Sequence, residues 1–325
     1  MLVISLDQIE YATSIVYAEM QPTPQYCWPL LCENLGTEVW VKHENQTPIG
    51  SFKIRGGLLY FAHLAKSPEN SKSVVSATKG NHGQSVGFAA RRYGISTTII
   101  VPHGNSVEKN NAMRSLGVNL LEHGDDFQSA REFAIKMAHE NSLKMIPSFD
   151  PLLVTGVATY SLELLKAVKD LDVVYVPIGL GSGICGMLAV RDALKLKTKV
   201  VGVVSSHASS YAESFASGFP VESPVNTKIA DGMACRVPEL SALELIWNGV
   251  ERIVQVSDDE IAEAMRILHE CTHNICEGSG AASYAAAMQE YPRIKGQKVA
   301  VIASGGNIDR KIYAAVLNGE DFVAS

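Results

Sequence analysis

Four short segments of this 325-residue chain set reactive or polar side chains among glycines. In Pro48-Ile49-Gly50-Ser51-Phe52-Lys53-Ile54-Arg55-Gly56-Gly57, Lys53 stands at a turn-to-helix junction. Gly50 can enter backbone regions closed to other residues, Phe52 offers an aromatic face to a planar ligand, and the Lys53 amine can form an imine. In Thr78-Lys79-Gly80-Asn81-His82-Gly83-Gln84, Asn81 and His82 open a predicted helix, where backbone donors and polar side chains hold a carboxylate. The glycines of Gly179-Leu180-Gly181-Ser182-Gly183 let N–H groups gather around a phosphate. That loop lacks the Gly-Lys-Ser/Thr ending of a nucleotide P-loop and the dinucleotide fingerprint. Ser304-Gly305-Gly306-Asn307 places a hydroxyl directly after the strand Val299-Ala300-Val301-Ile302. Taken singly, each segment also has a structural reading: a solvent-facing lysine, cap and turn residues, an ordinary glycine turn, a turn serine.

The elements around these segments alternate. Apolar positions Leu6, Ile9, Ile15, Val16 and Met20 predict a helix over 6–20, stopped by Gln21-Pro22-Thr23-Pro24. A strand follows at 38–42 and a helix near Ser51, a good capping residue. Strands at 74–77, 97–101 and 118–121 then alternate with helices at 81–93, 107–116 and 126–140. A second series runs through helix 154–168, strand 172–177, helix 184–194 and strand 198–204. It continues as strand 252–256, helices 257–269 and 279–289, strand 298–303 and helix 307–317, with a less regular interval over 205–250 that wraps a site or forms subunit contacts. Strand-helix alternation specifies parallel sheets covered by helices. Two α/β domains fit the order better than one sheet: residues 1–72 plus 151–325 form a large domain, and 73–150 a small inserted one.

Composition bounds the partners. Hydrophobic residues make up 46% and charged residues 19%, with a formal charge of -6 and no basic stripe, which speaks against a nucleic-acid partner. The start Met1-Leu2-Val3-Ile4-Ser5-Leu6 lacks the cationic opening and long apolar run of a secretory signal, and no later segment has the length of a membrane span. A cytoplasmic protein is expected. Cys27, Cys32, Cys185, Cys235, Cys271 and Cys276 form no C-x-x-C pair; His269 and His273, four apart, can share a helical face beside Cys276, but no metal site is assigned.

Together, and in this order, the four segments resemble the fold type II PLP-dependent enzymes, the tryptophan synthase β-subunit-like superfamily, and most closely its serine/threonine dehydratase and serine racemase branch. The resemblance implies two open α/β domains with parallel sheets flanked by helices and the cofactor in the cleft between them. It implies pyridoxal 5'-phosphate (PLP) carried as a Schiff base on Lys53, with Phe52, Asn81, Gly179, Leu180, Gly181, Ser182, Gly183 and Ser304 as further cofactor contacts. Thr78, Lys79, Asn81 and His82 then face the substrate, Asn81 also reaching the cofactor's phenolic oxygen, and Lys53 and Lys79 are the catalytic candidates. The implied reaction is loss of the β-hydroxyl from a small hydroxy amino acid such as serine, threonine or 3-hydroxyaspartate, giving a 2-oxo acid and ammonia. Relatives are commonly dimers, so a homodimer is expected.

Departures from the family's pattern leave the substrate open. Leu180 and Ser182 replace two common glycines of the phosphate loop. Lys79 occupies a usually small position: it points outward, binds a second substrate carboxylate, or reprotonates the opposite face as a racemase requires. Val204 and Ser210 stand where a metal-activated subgroup carries acidic ligands. Gly156-Val157-Ala158-Thr159 replaces Gly-Gln-Gly-Thr and is expected to reshape the substrate space; Glu277 aligns with an acidic cleft residue, with a structural role equally open. A racemase, a β-replacement synthase and a PLP-binding protein without activity are the competing functions.

Overall fold

The computed structural model describes residues 3–67 and 71–322. Residues 1–2, 68–70 and 323–325, which include the first two of the N-terminal stretch read above, lie outside them. The ten strands are β1 Gln25–Cys27, β2 Glu38–His43, β3 Ser73–Ala77, β4 Ser96–Val101, β5 Asn119–Glu122, β6 Lys144–Met145, β7 Val173–Pro177, β8 Lys199–Ser205, β9 Arg252–Val256 and β10 Lys298–Ala303. They form a six-stranded sheet ordered β1-β2-β10-β7-β8-β9 and a four-stranded sheet ordered β5-β4-β3-β6. Every pairing is parallel except that of β1 with β2. The fold class is therefore the one expected, two largely parallel α/β sheets flanked by helices, and the central strands are apolar on both faces because helices cover both.

Helices pack on the sheets through apolar faces, but one joint is made of glycine. The helix Lys53–Leu64 lies against the helix Pro151–Ala167, where a Cβ on Gly156 would sit 2.4 Å from the Arg55 carbonyl oxygen. Below that joint lies an ionic cluster. Arg55 pairs with Glu44 at 2.7 Å and Glu163 at 2.6 Å, and Lys42 pairs with Glu163 at 2.5 Å. Arg55, Lys42 and Glu44 are fully buried, and Thr23, Thr159 and the Tyr17 hydroxyl complete the hydrogen bonding. Charges this deep persist only when paired. The Gly156–Thr159 segment thus belongs to helix packing; it does not line the cleft described below, which corrects the expectation that it reshapes substrate space.

Several boundaries moved for local reasons. The first helix ends at Val16, not near 20, because Met20 and Thr23 turn inward and the Tyr17 hydroxyl reaches Glu163. The helix expected from 154 starts at Pro151, capped by the Asp150 carboxylate on Leu152 N–H. The last helix starts at Arg310, not 307, since Asn307 spends its side chain on Ile49 O and Asn81 Oδ1. His273 leaves its helix as a left-handed cap, so it shares no helical face with His269. The interval 205–250 contains helices Ser210–Ser217 and Leu240–Gly249 and a single turn Asp231–Met233. Val204 is a buried strand residue and Ser210 donates to Cys235 O.

Candidate active site

All four chemistry-bearing segments emerge beyond the carboxyl ends of parallel strands: Lys53 after β2, Thr78–His82 after β3, Gly179–Gly183 after β7 and Ser304 after β10. Ligands of open α/β sheets bind at that end, where helix N-termini converge. Here they border an open cleft of about 780 Å³, a volume that includes the solvent at its mouth. Its lining includes every residue assigned to cofactor or substrate from the sequence: Phe52, Lys53, Thr78, Lys79, Asn81, His82, Gly179, Leu180, Gly181, Ser182, Gly183 and Ser304.

The Lys53 and Ser304 segments are bound to each other. Phe52 N–H donates to Ser304 O at 3.1 Å, Gly306 N–H to Gly50 O at 2.9 Å, and Ser51 bridges Gly305. Gly50 has φ +66°, and a Cβ there would meet Asn307 Oδ1 at 2.9 Å. Lys53 Nζ lies 5.1 Å from the Phe52 ring centroid, and the Lys53 carbonyl accepts from Ser85 Oγ at 2.6 Å. Burial lowers the amine's pKa to about 8, with Glu277 opposing the fall. Roughly a quarter of such a group is neutral at pH 7.5, against roughly one in a thousand for an ordinary lysine.

Across the cleft, the Thr78 hydroxyl accepts from Gly80 N–H at 3.1 Å, bending the chain into the helix Asn81–Arg92. Asn81 Nδ2 donates to Glu277 Oε1 and its Oδ1 accepts from Asn307 Nδ2, both at 2.8 Å, which leaves a second Nδ2 proton for a ligand. His82 is buried, and its pKa falls to about 3 through burial and then the neighbouring Lys53 charge, so it is a neutral imidazole. Lys79 is exposed at the rim. Glu277 is buried, and burial raises its carboxyl to about 7.

The glycine loop is shaped for close approach. A Cβ on Gly179 would lie 2.2 Å from Gly232 O, and Gly181 has φ +97°. The Tyr211 and Tyr160 hydroxyls bind the Leu180 and Gly183 carbonyls from outside. The first N–H groups of the helix Ser182–Ala193 have no carbonyl of their own helix to bind.

Three polar groups of the cleft escaped notice in the sequence. Lys109 Nζ meets Asp231 Oδ2 at 2.8 Å, and Ser279 Oγ is buried without a hydrogen-bond partner. Lys109 lies in the helix after β4, expected over 107–116 but carrying no chemical motif, and Asp231 sits in the interval without periodicity, so no local pattern marked them. Two orphaned buried atoms on residues that line the cleft, Ser279 Oγ and His82 Nε2, together with the N–H cradle, an amine, an aromatic face and a neutral hydroxyl at Ser304, fit PLP.

Such a cleft between two largely parallel α/β sheets, with a half-buried lysine and a glycine cradle, defines a fold type II PLP enzyme. Residues 16–305 match the model of the pyridoxal-phosphate dependent enzyme family, and the chain belongs to that family, with PLP as its cofactor. It is 33% identical to the L-threonine ammonia-lyase of Thermotoga maritima over 97% of this chain and 78% of that one. The chain spans 58% and 50% of the threonine dehydratases of Haemophilus influenzae and Nicotiana attenuata. Among solved structures, the processed threonine deaminase isoform 2 of Solanum lycopersicum superposes with a TM-score of 0.88 at 28% identity, covering 98% of this chain and 95% of that one. Maize serine racemase gives 0.89 at 25%, covering 98% of each. This is a PLP-dependent enzyme of the carbon-oxygen lyase type, related to the threonine and serine dehydratase and serine racemase branch. Among the described residues no helix is long and apolar enough to cross a membrane.

Proposed function

We propose that the enzyme is an ammonia-lyase converting a small β-hydroxy amino acid, with serine, threonine and 3-hydroxyaspartate as candidate substrates, to a 2-oxo acid and ammonia. The observation that carries this reading is the placement of the Lys53 amine in one cleft with the glycine cradle and Ser304. PLP, when bound, supplies the electron sink that stabilises charge at the substrate's α-carbon. Lys53 would hold the cofactor through its amine, and the same amine, freed near the substrate's α-carbon, would serve as the base there; a pKa near the working pH suits both proton uptake and return. The N–H groups of Gly179, Leu180, Gly181, Ser182 and Gly183 would hold the phosphate, Phe52 would cover the ring, and Asn81 would hold the phenolic oxygen. Ser304 would offer the pyridine nitrogen a neutral hydroxyl in place of a carboxylate, a partner suited to elimination. Thr78, Asn81 and His82, with Lys79 at the rim, bind the substrate carboxylate, the neutral His82 as a hydrogen-bond partner.

The same reading carries a cytoplasmic homodimer and the division into residues 1–72 plus 151–325 and 73–150, the latter supported by β3 to β6 lying within Ser73–Met145. The test is incubation of PLP-loaded enzyme with the stereoisomers of serine, threonine and 3-hydroxyaspartate, measuring ammonia, 2-oxo acid and enantiomer exchange. Ammonia with matching 2-oxo acid is expected. Enantiomer exchange without ammonia assigns a racemase instead.

A further inference from the structure

Lys109 is a cation of the cleft for which the roles of Lys53 and Lys79 leave no use. It rises from the helix Val107–Ser115 that follows β4, and its stem passes over Gly80: a Cβ there would lie 3.0 Å from Lys109 Cδ. The absence of a side chain at Gly80 thus lets the lysine run beside the Thr78–His82 loop to the cleft. At its end the ammonium grips a carboxylate, Asp231 Oδ2, at 2.8 Å. The two partners differ in their surroundings. The Lys109 side chain is 13% exposed and that of Asp231 51%, so Asp231 can turn to water at small cost while Lys109 stays enclosed. Burial acts to discharge Lys109, but Asp231, Glu277 and Asp309 outweigh it and hold its pKa above the ordinary lysine value.

We propose that Lys109 determines specificity by receiving the distal carboxylate of a dicarboxylic hydroxy amino acid of the 3-hydroxyaspartate type, Asp231 being the internal carboxylate that keeps the position until substrate arrives. The proposal rests on the ammonia-lyase reading above. Exchanging one carboxylate for another keeps the charged hydrogen bond, and the displaced Asp231 regains water. A serine or threonine side chain has no charge to exchange and leaves the ion pair closed. Exposed Lys79 on the rim adds a second positive charge of the same use.

The test compares the PLP-loaded full chain with Lys109→Met and Asp231→Asn. The readout is the ratio of kcat/KM for 3-hydroxyaspartate to that for serine, together with the Kd of aspartate against alanine, followed through the absorbance of the bound cofactor. Lys109→Met is expected to lower the ratio at least tenfold and weaken aspartate selectively; Asp231→Asn is expected to raise the ratio about threefold or more, since it removes the competitor. A purely structural latch would move both variants the same way, and that result, or an unmoved ratio in Lys109→Met, overturns the proposal. Should Lys109→Met fail to fold, Asp231→Asn decides alone, an unchanged or lowered ratio counting against. Wild-type enzyme that deaminates serine or threonine but binds neither dicarboxylate overturns the Lys109 assignment and leaves the ammonia-lyase reading standing. Lys109-dependent aspartate binding without ammonia from any hydroxy amino acid does the reverse.

Discussion

Asn81 Nδ2 donates to Glu277 Oε1 at 2.8 Å, tying the loop beyond β3 to the residue that precedes the helix Gly278–Gln289 against the other sheet. The acceptor is a carboxyl that burial holds near 7 and that faces Lys53, Lys109 and Asp231. Its protonation therefore bears on both walls of the cleft.

A raised carboxyl has a defined sign in stability. The folded chain binds the Glu277 proton up to about 7, whereas the unfolded chain releases it near the ordinary 4.5. Its contribution is full below 4.5 and is lost as pH rises through 7, because the folded state carries more protons in that window. Glu277→Gln removes this dependence. The Tm of cofactor-free variant minus that of cofactor-free wild type is expected to rise by roughly 2–5 °C between pH 5 and pH 8. A difference constant across that range would show that Glu277 does not titrate as assigned.

Lys53→Ala tests the assignment of the cofactor lysine. After borohydride reduction, the wild-type peptide carrying Lys53 is expected to gain the mass of reduced PLP, and the variant peptide to gain none. Ammonia release should fall by roughly a hundred- to ten-thousand-fold, the usual range for a lost general acid-base group. Covalent cofactor and undiminished turnover in the variant would assign both roles to another residue.

Gly179→Ala probes the cradle. The added methyl would meet the backbone oxygen of Gly232 at 2.2 Å, and relief requires the glycine loop and the 231–233 turn to part. PLP affinity is expected to drop about tenfold or more by equilibrium dialysis, with the far-ultraviolet circular dichroism retained. Unchanged affinity would mean that the loop tolerates displacement and that its path does not set phosphate binding.

What the sequence made legible follows from how local each signal is. The phosphate loop and the Lys53 turn are continuous segments whose glycines answer to backbone geometry at that point, and both line the cleft as expected. Strands β3, β4, β7, β8 and β10 were legible because apolar runs bounded by turn residues need no distant information. The two-residue β6 and the three-residue β1 carry too few side chains to show a period. Lys109 and Asp231 stand 122 positions apart and acquire meaning only once a helix and a distant turn converge. Gly156–Thr159 misled because family position marked it as near the cleft, whereas its glycine answers to the Arg55 backbone.

The ionic cluster beneath Lys53 offers the sharpest test of how the lysine is supported. Arg55 lies two residues beyond Lys53 on the same helix and binds Glu44 and Glu163 with no solvent exposure. Arg55→Met keeps the volume but strands two carboxylates with Lys42 as their cation, and breaking a buried pair in this way costs about 3–5 kcal/mol. Adding Glu44→Gln restores charge balance, since Lys42 still pairs with Glu163. The double variant Arg55→Met/Glu44→Gln is therefore expected to be more stable than Arg55→Met alone, recovering about half of the loss in urea unfolding of the cofactor-free chain with an unchanged m-value. If the second substitution deepened the loss instead, the cluster would be held by hydrogen-bond geometry around Glu44 and not by charge balance.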